Sequence, residues 1–280
     1  MAPLGSQLAN RQKERIALNW KRAVSRGISE AIAISRMGVP PLHGLRVLAY
    51  HAIGSPVDGD RLGLYSLSPA LFGRQMEALS SFPKTGYCGF LEENIPGDGL
   101  QIALTFDDGY RDNLYVAAPL LQKYKIPFTV FVTTSFVKNR TAPFLSPEEL
   151  RELASLPGAT IGAHGSTHVS LTLHDDPTVR REVGDSKHYL EDLLGKPVDS
   201  MSYPHGAVSP RIRDIVEDAG YRAAGTSLFD INRPGADPLL LARTDIHSID
   251  TLRVFRQKLH GDWDWSRCKG SGKFRETKKA

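Results

Sequence analysis

The amino-acid sequence predicts an α/β fold, a (β/α) barrel with about seven parallel strands. Apolar runs typical of strands alternate with amphipathic helical segments, which is the pattern of parallel βαβ units. These strands fall within residues 45–260, a span that shows no internal repeat and no break in composition. The three observations together favour one barrel over two smaller domains.

The predicted strands are short apolar segments, several of which end next to polar residues. Residues 128–132, for example, form a continuous β-branched and aromatic run, which predicts a strand that is buried on both faces. The segment 87–91 has the weakest pattern. The full set of predicted strands is 45–51, 87–91, 100–106, 128–132, 159–163, 200–203, 221–225 and 239–246.

Two of the predicted helices begin at residues that favour helix N-termini. Ser68 precedes Pro69, and Ser146 precedes Pro147, so each of these helices has a capping residue and a proline at its first position. The full set of predicted helices is 11–37, 69–81, 113–124, one starting at 147, 176–194, 209–219 and 251–259.

The first predicted helix is amphipathic and basic. Trp20, Val24, Ile28 and Ala31 recur at helical spacing within 11–37, while the basic residues lie on other faces. Such a helix can lie on a membrane surface, or it can pack on its own domain. Both interpretations stay open at the level of sequence.

The composition is that of an ordinary globular protein of 280 residues, 41% hydrophobic and 24% charged. No stretch approaches the roughly 20 apolar residues that span a membrane, and the first residues lack the pattern of a secretory signal. Cys88 and Cys268 form neither a disulfide framework nor a zinc motif. These features predict a cytoplasmic location.

The net charge of +4 conceals a segregation of charge along the chain. Residues 1–46 hold eight Lys/Arg against two Glu, and residues 253–280 hold nine Lys/Arg against three acids, so each end is +6 and the middle is −8. Basic ends can contact an anionic membrane or a nucleic acid, or they can be solvated tails. We expect peripheral membrane contact as an option and no binding of nucleic acid.

The motif Thr105-Phe106-Asp107-Asp108-Gly109-Tyr110 ends a predicted buried strand. Successive side chains of a strand point to opposite faces, so the two carboxylates occupy different environments. This arrangement suits one carboxylate that binds a cation and another that handles a proton. The alternative is that Asp108 caps a helix and Asp107 is a solvated loop charge.

Two further motifs follow predicted strands. His164 and His168 stand at positions i and i+4, which on a helical turn would direct both imidazoles to one cation. Tyr203-Pro204-His205-Gly206 follows the strand 200–203, where a backbone amide could donate to a developing oxyanion. The carboxyl ends of parallel strands meet at one rim, so these motifs are expected near the double aspartate.

The three motifs, in this order, resemble the polysaccharide deacetylase family, also called the NodB homology domain of carbohydrate esterases. The segment Leu48-Ala49-Tyr50-His51-Ala52-Ile53 is also similar to the Tyr-His start common in bacterial members. The resemblance covers about residues 45–260 and implies an irregular (β/α) barrel with seven strands.

The resemblance also implies roles for individual residues. Asp108, His164 and His168 would bind a divalent metal, foremost Zn²⁺, with Co²⁺ or Ni²⁺ as alternatives. Asp107 would be the base that deprotonates a metal-bound water, which attacks an amide carbonyl. His205 takes the place of the oxyanion donor, and Tyr203 beside it is a further candidate for substrate contact.

Two positions depart from the family pattern. Ser202 stands where the family usually has the arginine that orients the base, and Arg243 is the candidate substitute, with a surface or sheet-edge arginine as its alternative. The family's late histidine, which protonates the leaving amine, is not recognisable. His51 is the first candidate for this acid and His247 the second, because histidine has a near-neutral pKa.

The predicted organisation is a basic amphipathic helical extension (1–44), a NodB-like catalytic domain (45–260) and a basic tail (261–280). The expected activity is metal-dependent removal of N-acetyl groups from an amino sugar in a polysaccharide, an oligosaccharide or a glycan precursor. A deformylase acting on a lipid-linked amino sugar and a non-catalytic glycan-binding relative of the barrel are the alternatives.

Overall fold

The computed structural model describes residues 23–35, 42–82, 85–91, 95 and 98–266. Within these ranges strands and helices alternate along the chain, as the sequence pattern predicts. No helix among the described residues is long and apolar enough to cross a membrane.

The strands form one parallel sheet. β1 pairs with β3 along its full length, while β2 and β4 pair with the beginning and the end of β3. The strand order is β7-β6-β5-β4-β3-β1-β8, with β2 outside this path. The strands are β1 Gly44–Tyr50, β2 Thr85–Tyr87, β3 Leu100–Phe106, β4 Phe128–Val132, β5 Ala159–Ala163, β6 Ser200–Ser202, β7 Ala223–Gly225 and β8 Arg243–Asp245.

The seven strands of this path nearly close into a barrel. The segment that leads into β8 bridges back to β7, because the Leu241 N–H donates to Ala224 O and the Thr226 N–H donates to Leu241 O, each at 2.9 Å. A parallel bridge between Gly225 and Leu241 marks the same seam. The predicted barrel of about seven strands is therefore confirmed, with β2 as an additional short strand.

The helices pack around the outside of the sheet. Several begin with a side-chain cap: the Ser68 hydroxyl accepts the Leu71 N–H, and Asp175 accepts the Thr178 N–H. The helices are α1 23–35, α2 Pro69–Ser80, α3 Ala118–Lys123, α4 Thr134–Lys138, α5 Pro147–Ser155, α6 Asp176–Leu194, α7 Pro210–Asp218 and α8 Leu252–His260.

Apolar side chains pack on both faces of the sheet. A small apolar cluster, which includes Leu45, Val47, Ala103 and Phe131, fills the lower part of the barrel interior, and the large core lies between the sheet and the helices. Side chains alternate between the two faces of a strand. Residues two positions apart on one strand therefore share a face. The side chains at the strand ends that follow these interior residues at even spacing point into the upper part of the barrel.

Several boundaries differ from the sequence-based prediction. The last strand, predicted over 239–246, is only β8, because Asp237 caps a short 3₁₀ turn over Pro238–Leu240. The helix predicted over 113–124 begins as a π-helical turn, Asn113–Ala117, before α3. α4 has no counterpart in the prediction.

The described part of the first predicted helix, α1, contacts the body through its polar face. Glu30 accepts the Gln257 side-chain amide at 2.8 Å, and the Ser29 hydroxyl accepts the Trp265 indole N–H at 3.0 Å. Val24 and Ile28, on the predicted apolar face, are 43% and 39% exposed. The rest of the predicted helix lies outside the described residues.

The first residues of the predicted tail, 261–266, lie against β1. Asp264 receives two hydrogen bonds from the Arg46 guanidinium, each 2.9 Å, and Arg46 is fully buried. Residues 267–280 lie outside the described residues, and the domain boundaries stay a prediction.

Candidate active site

Polar side chains meet at the rim formed by the carboxyl ends of the strands. Asp107 follows β3, His164 follows β5, and His51 follows β1. Because parallel strands end at one rim, residues far apart in sequence become neighbours there. Two groups can be distinguished, which we call the inner cluster (Asp107, Ser202, Arg243) and the rim cluster (Asp108, His164, His168).

The inner cluster is a buried, fully paired carboxylate. Arg243 donates from Nη1 to Asp107 Oδ1 at 2.7 Å and from Nη2 to Oδ2 at 2.8 Å, the bidentate geometry of a strong pair. The Ser202 hydroxyl accepts from Arg243 Nη2 at 2.7 Å and donates to Asp107 Oδ2 at 3.2 Å. Asp107 is 4% exposed and Arg243 is 1% exposed.

Burial raises the pKa of Asp107, but the charge and hydrogen bonds of Arg243, together with nearby histidines, outweigh it and hold the pKa well below its usual range. The carboxylate is therefore ionised at neutral pH. The sequence suggested Arg243 as a substitute for the arginine that the family has at the position of Ser202, and in the structure Arg243 on β8 pairs with Asp107.

The path of Arg243 depends on a glycine in β7. A Cβ added at Gly225 would lie 2.7 Å from Arg243 Cδ and 2.8 Å from Nε. Arg243 Nε also donates to Thr226 O at 2.9 Å, which fixes the side chain along its length. The absence of a side chain at Gly225 thus leaves the space through which Arg243 crosses the barrel.

The rim cluster consists of three acceptors that face one another. Asp108 Oδ1 lies 3.5 Å from His164 Nε2 and 3.3 Å from His168 Nε2. His164 Nδ1 donates to Ser202 O at 2.8 Å, which leaves its Nε2 without a proton when the ring is neutral. Burial and the neighbouring His164 lower the pKa of His168 to about 4, so the His168 ring is neutral near pH 7.

The donor set of the rim cluster fits a divalent cation. No donor among the described residues reaches Asp108 Oδ1, a buried carboxylate oxygen, and such an orphan is costly unless a cation completes it. Zinc bonds of about 2.0–2.2 Å in a tetrahedral site separate ligand atoms by roughly 3.4 Å, which agrees with the two distances from Asp108. One carboxylate and two imidazoles are ligands that suit zinc and related ions.

The segment from His164 to His168 is a loop, so the predicted helical turn is wrong. Gly165 has φ 74° and His168 has φ 63°, left-handed values that a helical turn does not contain. Glu182 on α6 holds this loop, because its carboxylate accepts the Ser166 N–H at 2.9 Å and the Thr167 N–H at 2.8 Å. The loop brings both imidazoles to Asp108 without helical geometry.

His51 lies beside the inner cluster, where its charge would help to lower the pKa of Asp107. Its Nδ1 is buried and has no hydrogen-bond partner among the described residues. The ring contacts Tyr65 at 4.6 Å between centroids, and Tyr65 in turn contacts His247 at 5.6 Å. Burial, with the Lys258 charge nearby, lowers the pKa of His247 to about 4.

The third motif contributes one rim residue and one core residue. His205 has φ 58°, and its ring stands 4.5 Å from that of His168, with Nε2 donating to His168 O at 3.2 Å. Tyr203 is fully buried, and its hydroxyl donates to Leu239 O at 2.9 Å. Tyr203 therefore belongs to the core, and the predicted substrate contact of its side chain is corrected.

Comparisons with known proteins bear on this site. Residues 95–224, which include all three motifs, match the family model described as polysaccharide deacetylase. Over these residues the chain is similar to the polysaccharide deacetylase family. Among curated relatives, it is 27% identical over 152 residues to a peptidoglycan-N-acetylglucosamine deacetylase of Bacillus cereus, which covers 54% of this chain and 67% of that protein.

Solved structures of polysaccharide deacetylases have the same fold. One from Bacillus cereus is 27% identical with a TM-score of 0.67, covering 78% of this chain and 69% of that one. A Streptococcus pyogenes deacetylase, solved with acetate, has a TM-score of 0.68 at 24% identity and covers 79% of this chain and 99% of that one. The chain spans about half (46%) of another curated relative, a Bacillus subtilis protein that is 29% identical over 135 residues, 48% of this chain.

Two residues that position the site, Glu182 and Gly225, were missed by the sequence analysis. Glu182 falls on the buried face of α6, between Val179 and Val183, where helical periodicity places an unexpected acid. An acidic residue at a buried helix position could have been recognised from the sequence as a candidate for a structural role. Nothing local in the sequence distinguishes Gly225 from the other glycines.

Proposed function

We propose that the protein is a metal-dependent hydrolase that removes N-acetyl groups from an amino sugar in a polysaccharide, an oligosaccharide or a glycan precursor. The observation that carries this proposal is the juxtaposition of the inner and rim clusters. Asp107, a paired and ionised carboxylate, is followed in the same turn by Asp108, whose Oδ1 faces two imidazole nitrogens. The match to the polysaccharide deacetylase model and the name of a curated relative support the same reaction class.

Asp108, His164 and His168 would hold the cation. Zn²⁺ is the first choice and Co²⁺ or Ni²⁺ are alternatives; when bound, such an ion polarises the amide carbonyl and makes water more acidic. His164 is oriented for this task by its bond to Ser202 O, and the loop through His168 is oriented by Glu182.

Asp107 would take the proton of the attacking water. Its Oδ2 already accepts two hydrogen bonds, whereas Oδ1 accepts a close one only from Arg243. A carboxylate oxygen has two acceptor positions, so Oδ1 retains capacity for a proton. Arg243 lowers the basicity of the carboxylate but keeps it ionised and in a fixed orientation.

The leaving amine requires a proton from an acid, and the structure favours His51 over His247 for this role. A histidine whose pKa is about 4, as for His247, carries almost no proton to donate near pH 7. His51 is also closer than His247 to Asp107, because His51 follows β1, the direct neighbour of β3, whereas His247 follows β8, which lies beyond β1. Replacing His51 with Ala should lower the rate about 10²–10⁴-fold; a wild-type rate would assign the acid elsewhere.

The backbone amide of His205 is the proposed oxyanion donor. The left-handed conformation of His205 turns the backbone sharply beside His168. Preorganised amides of this kind stabilise charge that develops on a carbonyl oxygen.

The decisive experiment measures acetate release from N-acetylated saccharides. The protein is stripped with a chelator and then supplied with zinc, cobalt or nickel, and the panel includes chitooligosaccharides, nucleotide sugars and lipid-linked N-acetylhexosamines. We expect release that depends on the added metal. Formate release from N-formylated analogues without acetate release would favour the deformylase, and metal binding without turnover would favour the glycan-binding protein.

The association with an anionic membrane and the cytoplasmic location are also proposals. The exposed Val24, Ile28 and Ile34 of α1 and the basic ends of the sequence support contact with such a surface. Cosedimentation with phosphatidylglycerol vesicles, but not with phosphatidylcholine vesicles, is the expected result. Cell fractionation tests the location.

A further inference from the structure

A cavity of about 300 Å³ lies beside the double-aspartate turn, and it has no part in the proposed chemistry. It is lined by Arg111, Arg140, Ala142, Phe144, Ser146 and Glu149. Its wall is tied to the turn, because Arg111 N donates to Pro143 O at 3.0 Å and Leu145 N donates to Gly109 O at 2.9 Å. The cavity and the proposed ligand Asp108 are therefore held in a fixed relation.

A row of aromatic rings connects this cavity with the rim cluster. Starting from His168, the ring centroids are separated by 6.4 Å to Phe136, by 4.2 Å from Phe136 to Phe144, and by 4.7 Å from Phe144 to Tyr110. Phe136 and Phe144 are both partly exposed. The surface between the two sites is thus apolar and continuous, which suits the C–H faces of a saccharide.

A more exposed ring, Tyr115, is not part of the lining but contacts two of the lining residues, Arg111 and Glu149. Tyr115 is 53% exposed, and its hydroxyl donates to Glu149 Oε1 at 3.0 Å. The Arg111 guanidinium lies 5.8 Å from the centre of this ring. An exposed aromatic ring held by a side-chain hydrogen bond offers contact area with little conformational entropy to lose.

The charges of the cavity balance one another. Arg111 Nε donates to Glu149 Oε1 at 2.9 Å, and Arg140 Nη1 donates to Glu148 Oε2 at 2.8 Å. Each guanidinium has five N–H groups, and among the described residues Arg111 Nη1 and Arg140 Nε make no hydrogen bond. Donors remain free although the net charge is near zero, so a neutral polar ligand suits the cavity better than an anion.

We propose that this cavity is a binding subsite for a neutral sugar unit linked to the one that loses its acetyl group. The proposal rests on the proposed function, and it specifies the substrate class as an oligosaccharide or polysaccharide without charge at the neighbouring unit. Hydroxyl or acetamido groups accept from Arg111 and Arg140, and the sugar ring contacts Tyr115 and the edges of the phenylalanine rings.

The test compares chitooligosaccharides of one to five units as substrates of the zinc-loaded full chain. The variants are Tyr115→Leu and Arg140→Gln, and the matched control is Arg180→Gln, which breaks an exposed ion pair with Asp218 on α6 and α7. We expect kcat/KM to rise with chain length. The ratio of kcat/KM for the tetramer to that for the monomer should fall about five- to tenfold in each cavity variant and stay at the wild-type value in Arg180→Gln.

Different results would overturn the subsite and the proposed function. Acetate release that is independent of chain length, or equal length ratios in all variants, rejects the subsite and leaves the reaction intact. If no substrate releases acetate, the proposed function fails, and equilibrium binding of chitotetraose by calorimetry decides the subsite. Weaker binding in Tyr115→Leu than in Arg180→Gln supports it, and equal or absent binding rejects it.

The charge balance is tested separately by Glu148→Gln. This change leaves the exposed Arg140 without its carboxylate and makes the cavity positive. We expect the variant to gain affinity for a carboxylated oligosaccharide at the expense of the neutral one. A wild-type protein that already prefers the carboxylated oligosaccharide would contradict the assignment to a neutral sugar.

Discussion

The inner cluster and the rim cluster are adjacent, yet their polar atoms are satisfied in opposite ways. In the inner cluster both oxygens of Asp107 accept hydrogen bonds from a buried guanidinium and a hydroxyl. In the rim cluster Asp108 Oδ1 faces two imidazole nitrogens, and no donor among the described residues reaches it. The protein supplies the partners of the first arrangement, whereas the second is a donor set that suits a cation.

This contrast places two consecutive aspartates in different environments. Asp107 follows β3 directly, and its side chain points into the barrel interior, where it pairs with Arg243. Asp108 has φ 74°, a left-handed conformation that redirects the chain and its side chain to the rim. A change confined to one cluster should therefore leave the function of the other intact.

The largest effect is expected from Asp107→Asn, which breaks the inner cluster alone. Acetate release should fall at least about 10²–10⁴-fold, because the amide cannot accept the proton of water. The metal content should remain that of the wild type, since the rim cluster is unchanged. Measuring turnover and bound zinc on the same sample checks both; a variant that loses its metal would show that the two aspartates have been assigned in reverse.

Arg243→Gln tests how much the buried ion pair of the inner cluster contributes to the stability of the protein. It leaves Asp107 buried without its partner, so the free energy of unfolding should fall by about 3–5 kcal/mol. Arg180→Gln removes an exposed ion pair and should change it by about 1 kcal/mol or less. Urea denaturation of the metal-free proteins measures both values, and equal effects would mean that the inner pair contributes no more than a surface pair.

Gly225→Ala is expected to disturb the inner cluster less severely. The new methyl group would meet Arg243 at less than van der Waals distance, so the unfolding free energy should fall by about 1–3 kcal/mol. Gly184→Ala is the control, because a Cβ there meets nothing within 4 Å inside α6 and should stabilise the helix by up to about 1 kcal/mol. A neutral result at Gly225 would indicate that Arg243 has another path to Asp107.

The smallest expected effect is on the pH dependence of stability. The two clusters contribute to it over different pH ranges. The pKa of His168 is lowered from 6.5 to about 4 in the folded protein, so between these pH values the unfolded chain binds more protons and acidification costs stability. The pKa of the Asp107 carboxyl group is lowered in the folded protein. Its contribution to the free energy of unfolding is therefore fully present above about pH 3.8 and is lost only below that value.

In the metal-free protein, His168→Gln should therefore reduce the loss of stability between pH 6.5 and 4. His188→Gln, at an exposed position on α6, serves as the control and should retain the wild-type slope. Unfolding midpoints at a series of pH values give the answer. Parallel curves for all three proteins would show that His168 titrates alike in the folded and unfolded states.

The sequence predicted the elements whose ends carry their own signals. β4, β5 and α6 have the predicted bounds, and α6 is delimited by the Asp175 cap and by Gly195 with φ 65°. The motifs also identified which residues gather at the rim. Local patterns of apolar spacing and capping are sufficient for these features.

Other features depend on contacts that no local pattern contains. The pair between Arg243 and Asp107 joins residues 136 positions apart, and its geometry needs the missing side chain of Gly225. The spacing of His164 and His168 suggested a helical turn, but the left-handed backbone at Gly165 and His168 gives the same juxtaposition in a loop. Spacing alone does not distinguish the two conformations.

The pairing of Arg46 with Asp264 has a consequence for biosynthesis. Arg46 lies in the first strand, and its partner follows the last helix, 218 residues later in the chain. β1 also needs β8 as a neighbour in the sheet. Because a ribosome delivers the chain from its N-terminus, the guanidinium of Arg46 has no buried partner during most of translation. We therefore expect the barrel to close after synthesis of α8, as a slow step dominated by long-range contacts.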